Sequence, residues 1–128
     1  SSQEFVEPVE PGLLMGMWRY QADEQQLASN RGRSTLSSGV WTLHLVGDQL
    51  QARISDDRYR ETLVSRSVDL KGADLVIKGD FGLYGGPART YTISGAFFPE
   101  RGQFRGTLTT TGFGQVDTVQ LEARRTSG

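Results

Sequence analysis

Val40-Trp41-Thr42-Leu43-His44-Leu45-Val46 (VWTLHLV) alternates large apolar with polar side chains at a period of two. That period belongs to a half-buried strand, with Trp41, Leu43 and Leu45 on one face and Thr42 and His44 on the other. The same alternation recurs in VQLEARR, where Val119, Leu121 and Ala123 oppose Gln120, Glu122 and Arg124. Working outward, eight such runs cover most of the chain: Gly16 to Ala22, Gly39 to Val46, Gln49 to Ser55, Arg60 to Leu70, Ala73 to Gly79, Ala88 to Phe97, Gln103 to Thr111 and Val116 to Arg124. Only Asp23 to Ser29 (DEQQLAS) has the makings of a turn or two of helix.

The connections alternate in length. Gly47-Asp48, Lys71-Gly72 and Pro99 to Gly102 read as tight hairpin turns. Longer links run through Asp23 to Ser38, Asp56 to Tyr59 and Asp80 to Pro87, with Gly112 to Gly114 joining the last two runs. In a meander, successive connections lie at opposite ends, so one end carries short turns and the other the longer loops. Eight antiparallel strands without covering helices would expose two edges, and closure removes them. The expectation is an all-β chain, an eight-stranded antiparallel up-and-down meander β-barrel. Residues 13–125 form its single domain, residues 1–12 a flexible N-terminal tether, and residues 126–128 a disordered tail.

Composition excludes several classes of function. A chain of 128 residues with 36% hydrophobic and 23% charged residues fits one ordinary globular core. Its net charge of −1 provides no electrostatic footprint for nucleic acid or for an anionic membrane surface. The absence of cysteine removes disulfides, thiol catalysis and thiolate metal sites. No segment has the apolar length of a spanning helix. The opening SSQEFVEPVEPG is acidic and proline-bearing, which suits an extended tether. It resembles the start of a mature bacterial lipoprotein, which implies a periplasmic or outer-membrane-anchored lipoprotein meeting the membrane only through an N-terminal lipid anchor. An expression remnant with a frayed end is the alternative reading.

Gly16-Met17-Trp18 stands at the start of the first run, and Arg124-Arg125 at the end of the last. In this pairing the chain resembles the calycin-like barrels, meaning lipocalins, fatty-acid-binding proteins and avidins, whose first-strand tryptophan packs against a basic residue of the last strand. The resemblance implies that Trp18 and Arg125 close one end of the barrel. Counting by twos from Val119 also brings Arg125 onto the apolar face. The chain departs from the group in having no disulfide pair and no match to the biotin ligands of avidins, so no ligand comes with the likeness.

The chemistry-bearing candidates are few. Asp80-Phe81-Gly82 spells the DFG of protein kinases, but no nucleotide loop, strand lysine or catalytic-loop aspartate accompanies it. Phe81, Leu83 and Tyr84 are apolar residues in a loop; they fold back as a lid on the barrel mouth or stand out as contact residues. Arg33, Tyr59, Arg89 and Phe113 fall in or beside the long connections and complete the candidate binding set. Solitary His44 lies on a polar face, and Asp23-Glu24 and Asp56-Asp57 read as solvated turns, so no catalytic residue, metal site or cofactor is expected. Arg66 shares the inward parity of Val64 and Val68. Either a bulge shifts the register there, or the interior holds a partner for it, with Tyr20 and Trp41 lining the same space. The large number of bulky inward residues favours a filled barrel. The sequence therefore leads to a non-enzymatic extracytoplasmic protein that binds a protein partner through its long-loop end. The alternative is a carrier holding a small hydrophobic or acidic ligand inside the barrel.

Overall fold

Burial follows the two-residue period strand by strand. In β1 (Gly16–Ala22), Trp18, Tyr20 and Ala22 are buried, while Met17, Arg19 and Gln21 are exposed. The computed structural model describes residues 15–29, 36–58, 61–82, 89–112 and 114–127. After β1 come a short helix α1 (Glu24–Ser29), β2 (Ser38–Val46), β3 (Gln49–Asp56), β4 (Leu63–Val64), β5 (Ser67–Lys71), β6 (Asp74–Phe81), β7 (Arg89–Phe98), β8 (Gln103–Gly112) and β9 (Gln115–Ser127). They form one antiparallel sheet in the order β4-β3-β2-β1-β9-β8-β7-β6-β5. Except at the β4–β5 step, consecutive strands pair with each other, and the last returns to lie beside the first, with Trp18 opposite Arg125 and Ala22 opposite Leu121. The all-β, barrel-shaped meander expected from the pattern is the observed fold.

Nine strands stand where eight runs were expected, because the fourth run breaks in two. Leu63 and Val64 pair with β3, whereas Ser67 to Lys71 pair with β6. At the break, the Ser65 N–H donates to the Ala52 carbonyl and the Arg66 N–H to the Lys78 carbonyl, both at 2.8 Å. Ser65 Oγ also accepts from the Ala52 N–H at 2.9 Å. The chain thus changes partner within one residue, and the two edges of the sheet meet there. The change of partner also resolves the parity of Arg66. Its side chain lies outside, with Nη1 at 3.1 and 3.3 Å from the Asp80 carboxylate oxygens, and the barrel interior is spared an uncompensated charge.

Two further expectations give way. Leu45 was counted inward but is 50% exposed. It pairs with Leu50 beyond the point where Gly16 begins β1 opposite Leu43, so the hairpin overshoots β1 and stands exposed among the described residues. Its turn is the expected one, with Gly47 at φ 66°, a conformation that favours glycine. At the other terminus, β9 runs on to Ser127, paired with Met17, two residues into the stretch read as a tail.

The core crosses the barrel. Trp18 on β1 meets Phe97 on β7 with ring centroids 5.0 Å apart, and Trp41 on β2 meets Phe104 on β8 at 5.4 Å. Contacts of Phe97 with Phe104 at 5.2 Å and Trp18 with Trp41 at 6.5 Å complete a cycle of four rings, and Tyr20 stacks on Trp41 at 5.6 Å. Each pair adds about 0.5–1.5 kcal/mol beyond burial. Between these large residues lie Ala22, Ala52 and Ala123, the alternation of large and small that fits side chains into a narrow barrel.

Candidate binding end of the barrel

The links β1–β2, β3–β4, β6–β7 and β8–β9 leave the wall at one end, and the tight turns lie at the other. Of the residues expected to form a binding set there, Arg33, Tyr59, Leu83, Tyr84 and Phe113 lie outside the described residues. Arg89 opens β7, half-buried. Its aliphatic stem crosses Gly112 of β8, so that a Cβ at Gly112 would sit 2.7 Å from Arg89 Cγ.

Phe81 corrects the contact reading. As the last residue of β6 it keeps the inward parity of Leu75, Ile77 and Gly79, and it is only 3% exposed. Its ring lies 6.3 Å from that of Tyr91. It is a wall residue of the barrel and not an exposed contact.

Tyr91 in turn lies over Gly79, its cross-strand partner. A Cβ there would come within 2.4 Å of Tyr91 Oη, so the strand must carry glycine for the ring to lie flat on the wall. Burial, reinforced by the Asp80 charge and opposed by Arg66, pushes the Tyr91 phenol well above its ordinary pKa. Its Oη has no hydrogen-bond partner among the described residues, and neither has Trp41 Nε1 or Arg125 Nε.

The residue that sequence reading missed is Asp56. Taken for part of a solvated turn, it is buried at the end of β3 and accepts from the Tyr20 hydroxyl at 2.6 Å, the Ser37 N–H at 2.9 Å and the Arg58 N–H at 2.9 Å. The signal was present, since Asp56 follows Ala52 and Ile54 at steps of two. One carboxylate therefore fastens the β1–β2 and β3–β4 links to the wall. Burial first, then the Asp56 charge and hydrogen bond, raise the Tyr20 phenol far above its usual range. Tyr20 and Trp41 are accordingly core residues. Asp57 does match the solvated reading, pairing with Arg19 at 3.1 Å and accepting from Ser38 Oγ at 2.8 Å on the outer face.

Helix α1 joins this end to β9. Asp23 Oδ1 accepts from the Gln26 N–H at 3.0 Å and so caps the helix. The Asp23 N–H donates to the Gln120 carbonyl at 2.8 Å, and the Gln120 N–H donates to Gln26 Oε1 at 2.6 Å. Beside them lies a notch of about 250 Å³ lined by Gln21, Ala22, Asp23, Glu24, Gln120 and Glu122. His44 is joined to Gln51 at 3.0 Å across β2 and β3, and among the described residues no three of His, Cys, Asp and Glu come together to hold a metal ion.

Comparison with known proteins returned no matching family model, no matching curated protein and no matching solved structure.

Proposed function

We propose that the chain is a non-enzymatic interaction protein whose filled barrel acts as a rigid platform, meeting a protein partner through its long-loop end. The observation that carries this reading is the ring contact across the concave face between strands three apart in the sheet, with Trp18 on Phe97 and Trp41 on Phe104. These ring contacts take up room that a carrier would reserve for cargo, which favours the rim as the place to bind. The proposal includes an extracytoplasmic, tethered setting, supported by the composition of residues 1–12. It also includes kinship with calycin barrels, supported by Gly16-Met17-Trp18 opening β1 and by Arg125 standing opposite Trp18.

A second reading, the carrier of a small hydrophobic or acidic ligand, draws on the buried Tyr91 Oη, Trp41 Nε1 and Arg125 Nε, which have no partner among the described residues. One experiment separates the two. The parent and a Leu83→Ser, Tyr84→Ser variant are used to capture proteins from a bacterial envelope extract, and each is weighed intact under native conditions. Capture that is lost in the variant, together with the bare mass of the chain, supports the binder. A co-purifying small molecule with unchanged capture overturns it in favour of the carrier.

A further inference from the structure

β9 is longer than its neighbour on one side. Its ladder with β8 is continuous from Gln103–Arg124 to Gly112–Gln115, whereas its ladder with β1 ends at Ala22–Leu121. The direction of the main chain beyond that point follows from three bonds. Both the N–H and the carbonyl of Gln120 face α1, and the Arg125 N–H faces Gly102 at the start of β8. Main-chain groups alternate sides along a strand, so odd residues of β9 bond to β8 and even residues face the β1 side. Gln120 is capped there by Asp23 and Gln26. Thr118 and Val116 come next, and among the described residues nothing meets their main-chain groups. Both side chains are exposed, Val116 at 66% the most exposed large apolar residue described. Among the described residues this run is uncovered, and a run of this kind is a template for one more strand.

We propose that this edge of β9, from Gln115 to Val119, receives an extended peptide segment of the partner, laid antiparallel where β1 would have continued had α1 not turned the chain away. The inference rests on the binder reading above and gives it a place and a chemistry. The leading end of such a peptide abuts Asp23 and Glu24 at the notch they share with Glu122. Arg105 reaches Glu122 at 3.5 Å, and Asp23 and Glu24 leave the notch acidic, so the fitting segment begins with a basic residue. A second copy of this chain fits less well. The self-pairing that uses both Val116 and Thr118 sets Gly114 of the second copy opposite Gln120, beside the notch, and so brings no basic residue to it.

Amide hydrogen exchange tests the edge residue by residue, using the peptide Lys-Thr-Val-Thr-Val-Thr as probe. In the free protein the Val116 and Thr118 amides should exchange fast and those of Asp117 and Val119 slowly. Saturation with the probe should slow Val116 and Thr118 by about tenfold or more. Replacing the leading Lys by Glu should weaken binding. Val116→Pro, which removes one edge donor, should abolish the protection at Thr118 while leaving the thermal midpoint unchanged.

Val116 and Thr118 already protected in the free chain, or a midpoint lowered by Val116→Pro, would mean that the edge is paired internally and would overturn the proposal. So would probe at millimolar concentration that leaves both amides fast, or protection that grows with protein concentration alone and thereby identifies a second copy. Failure of the wider reading looks different. If the probe gives no protection but Leu83→Ser with Tyr84→Ser still abolishes capture, the edge assignment falls and the binder stands. A co-purifying small molecule with unchanged capture removes the binder whatever the amides do.

Discussion

Phe97 and Phe98 are neighbours of the same chemistry on opposite faces of β7, and replacing each by alanine measures whether the barrel is filled. Phe97 is 2% exposed and packs on Trp18 and Phe104, whereas Phe98 is 42% exposed on the outer face. Removing a fully packed phenylalanine costs about 3–5 kcal/mol, the transfer of the ring plus the cavity left behind. One kcal/mol moves a domain of this size by several degrees, so Phe97→Ala should lower the thermal midpoint by roughly 10–20 °C. Phe98→Ala should cost about 1 kcal/mol or less, since much of its ring stays in water in the folded state. Urea titration followed by tryptophan fluorescence reads both, and an unchanged slope shows that stability and not the denatured state has moved. The reasoning fails if Phe97→Ala costs under about 1.5 kcal/mol, because a ring bordering open space leaves no new cavity when it is removed.

Other consequences follow from single contacts. Gly79→Ala should destabilise by about 1–3 kcal/mol, since its Cβ would meet Tyr91 Oη at 2.4 Å, and Tyr91→Leu in the same chain should recover part of the loss in a denaturation series. Tyr20→Phe should cost about 1–3 kcal/mol by leaving the buried Asp56 carboxylate without one donor, whereas Tyr20→Leu would confound that loss with packing. Both buried phenols have raised folded pKa values against about 10 in the unfolded chain. Their contribution is therefore complete below pH ~10 and is lost as pH rises above it. Stability measured by urea should fall across that range, less steeply in Tyr20→Phe, and a pH-independent midpoint would contradict the assignment. A double-mutant cycle on Trp18→Phe and Arg125→Gln should give a coupling of at least ~0.5 kcal/mol, and additive effects would remove the packing argument for closure at that end.

What was legible in the sequence was the period. Trp18, Tyr20, Trp41, Ile93 and Leu121 could each be assigned to the core by counting in twos, because one face of every strand is buried and a slip by one residue would expose the whole set. Counting failed where a strand changes partner or outruns its neighbour. At Arg66 the run looked continuous, but the change from β3 to β6 resets the parity, and that depends on which strand ends adjoin in space. Leu45 has the right parity and the wrong height, a property of the stagger between β1 and β2. Asp56 was misread for the opposite reason: its parity was correct, and the preference of aspartate for solvent was allowed to override it although Tyr20, Ser37 and Arg58 supply its donors. Phe81 repeats the lesson, since a residue that looks like a loop when read beside Gly82 is the last inward position of β6.

The three polar atoms that lack a partner among the described residues bear on the choice between binder and carrier through their placement. A small-molecule site needs polar groups that converge on one space lined by apolar walls. Trp41 and Arg125 each stand opposite Trp18, within the region occupied by the aromatic cycle. Tyr91 stands opposite Gly79 and Thr110, toward the long-loop end. A ligand joining Tyr91 Oη to the other two would have to displace the rings that join the walls, whereas a peptide on the β9 edge disturbs no core contact. The main-chain donors and acceptors of Val116 and Thr118 lie together along one edge at strand spacing, an arrangement that suits an extended chain. Between the two chemistries, the edge asks for no rearrangement of the interior, and it is there that binding should first be sought.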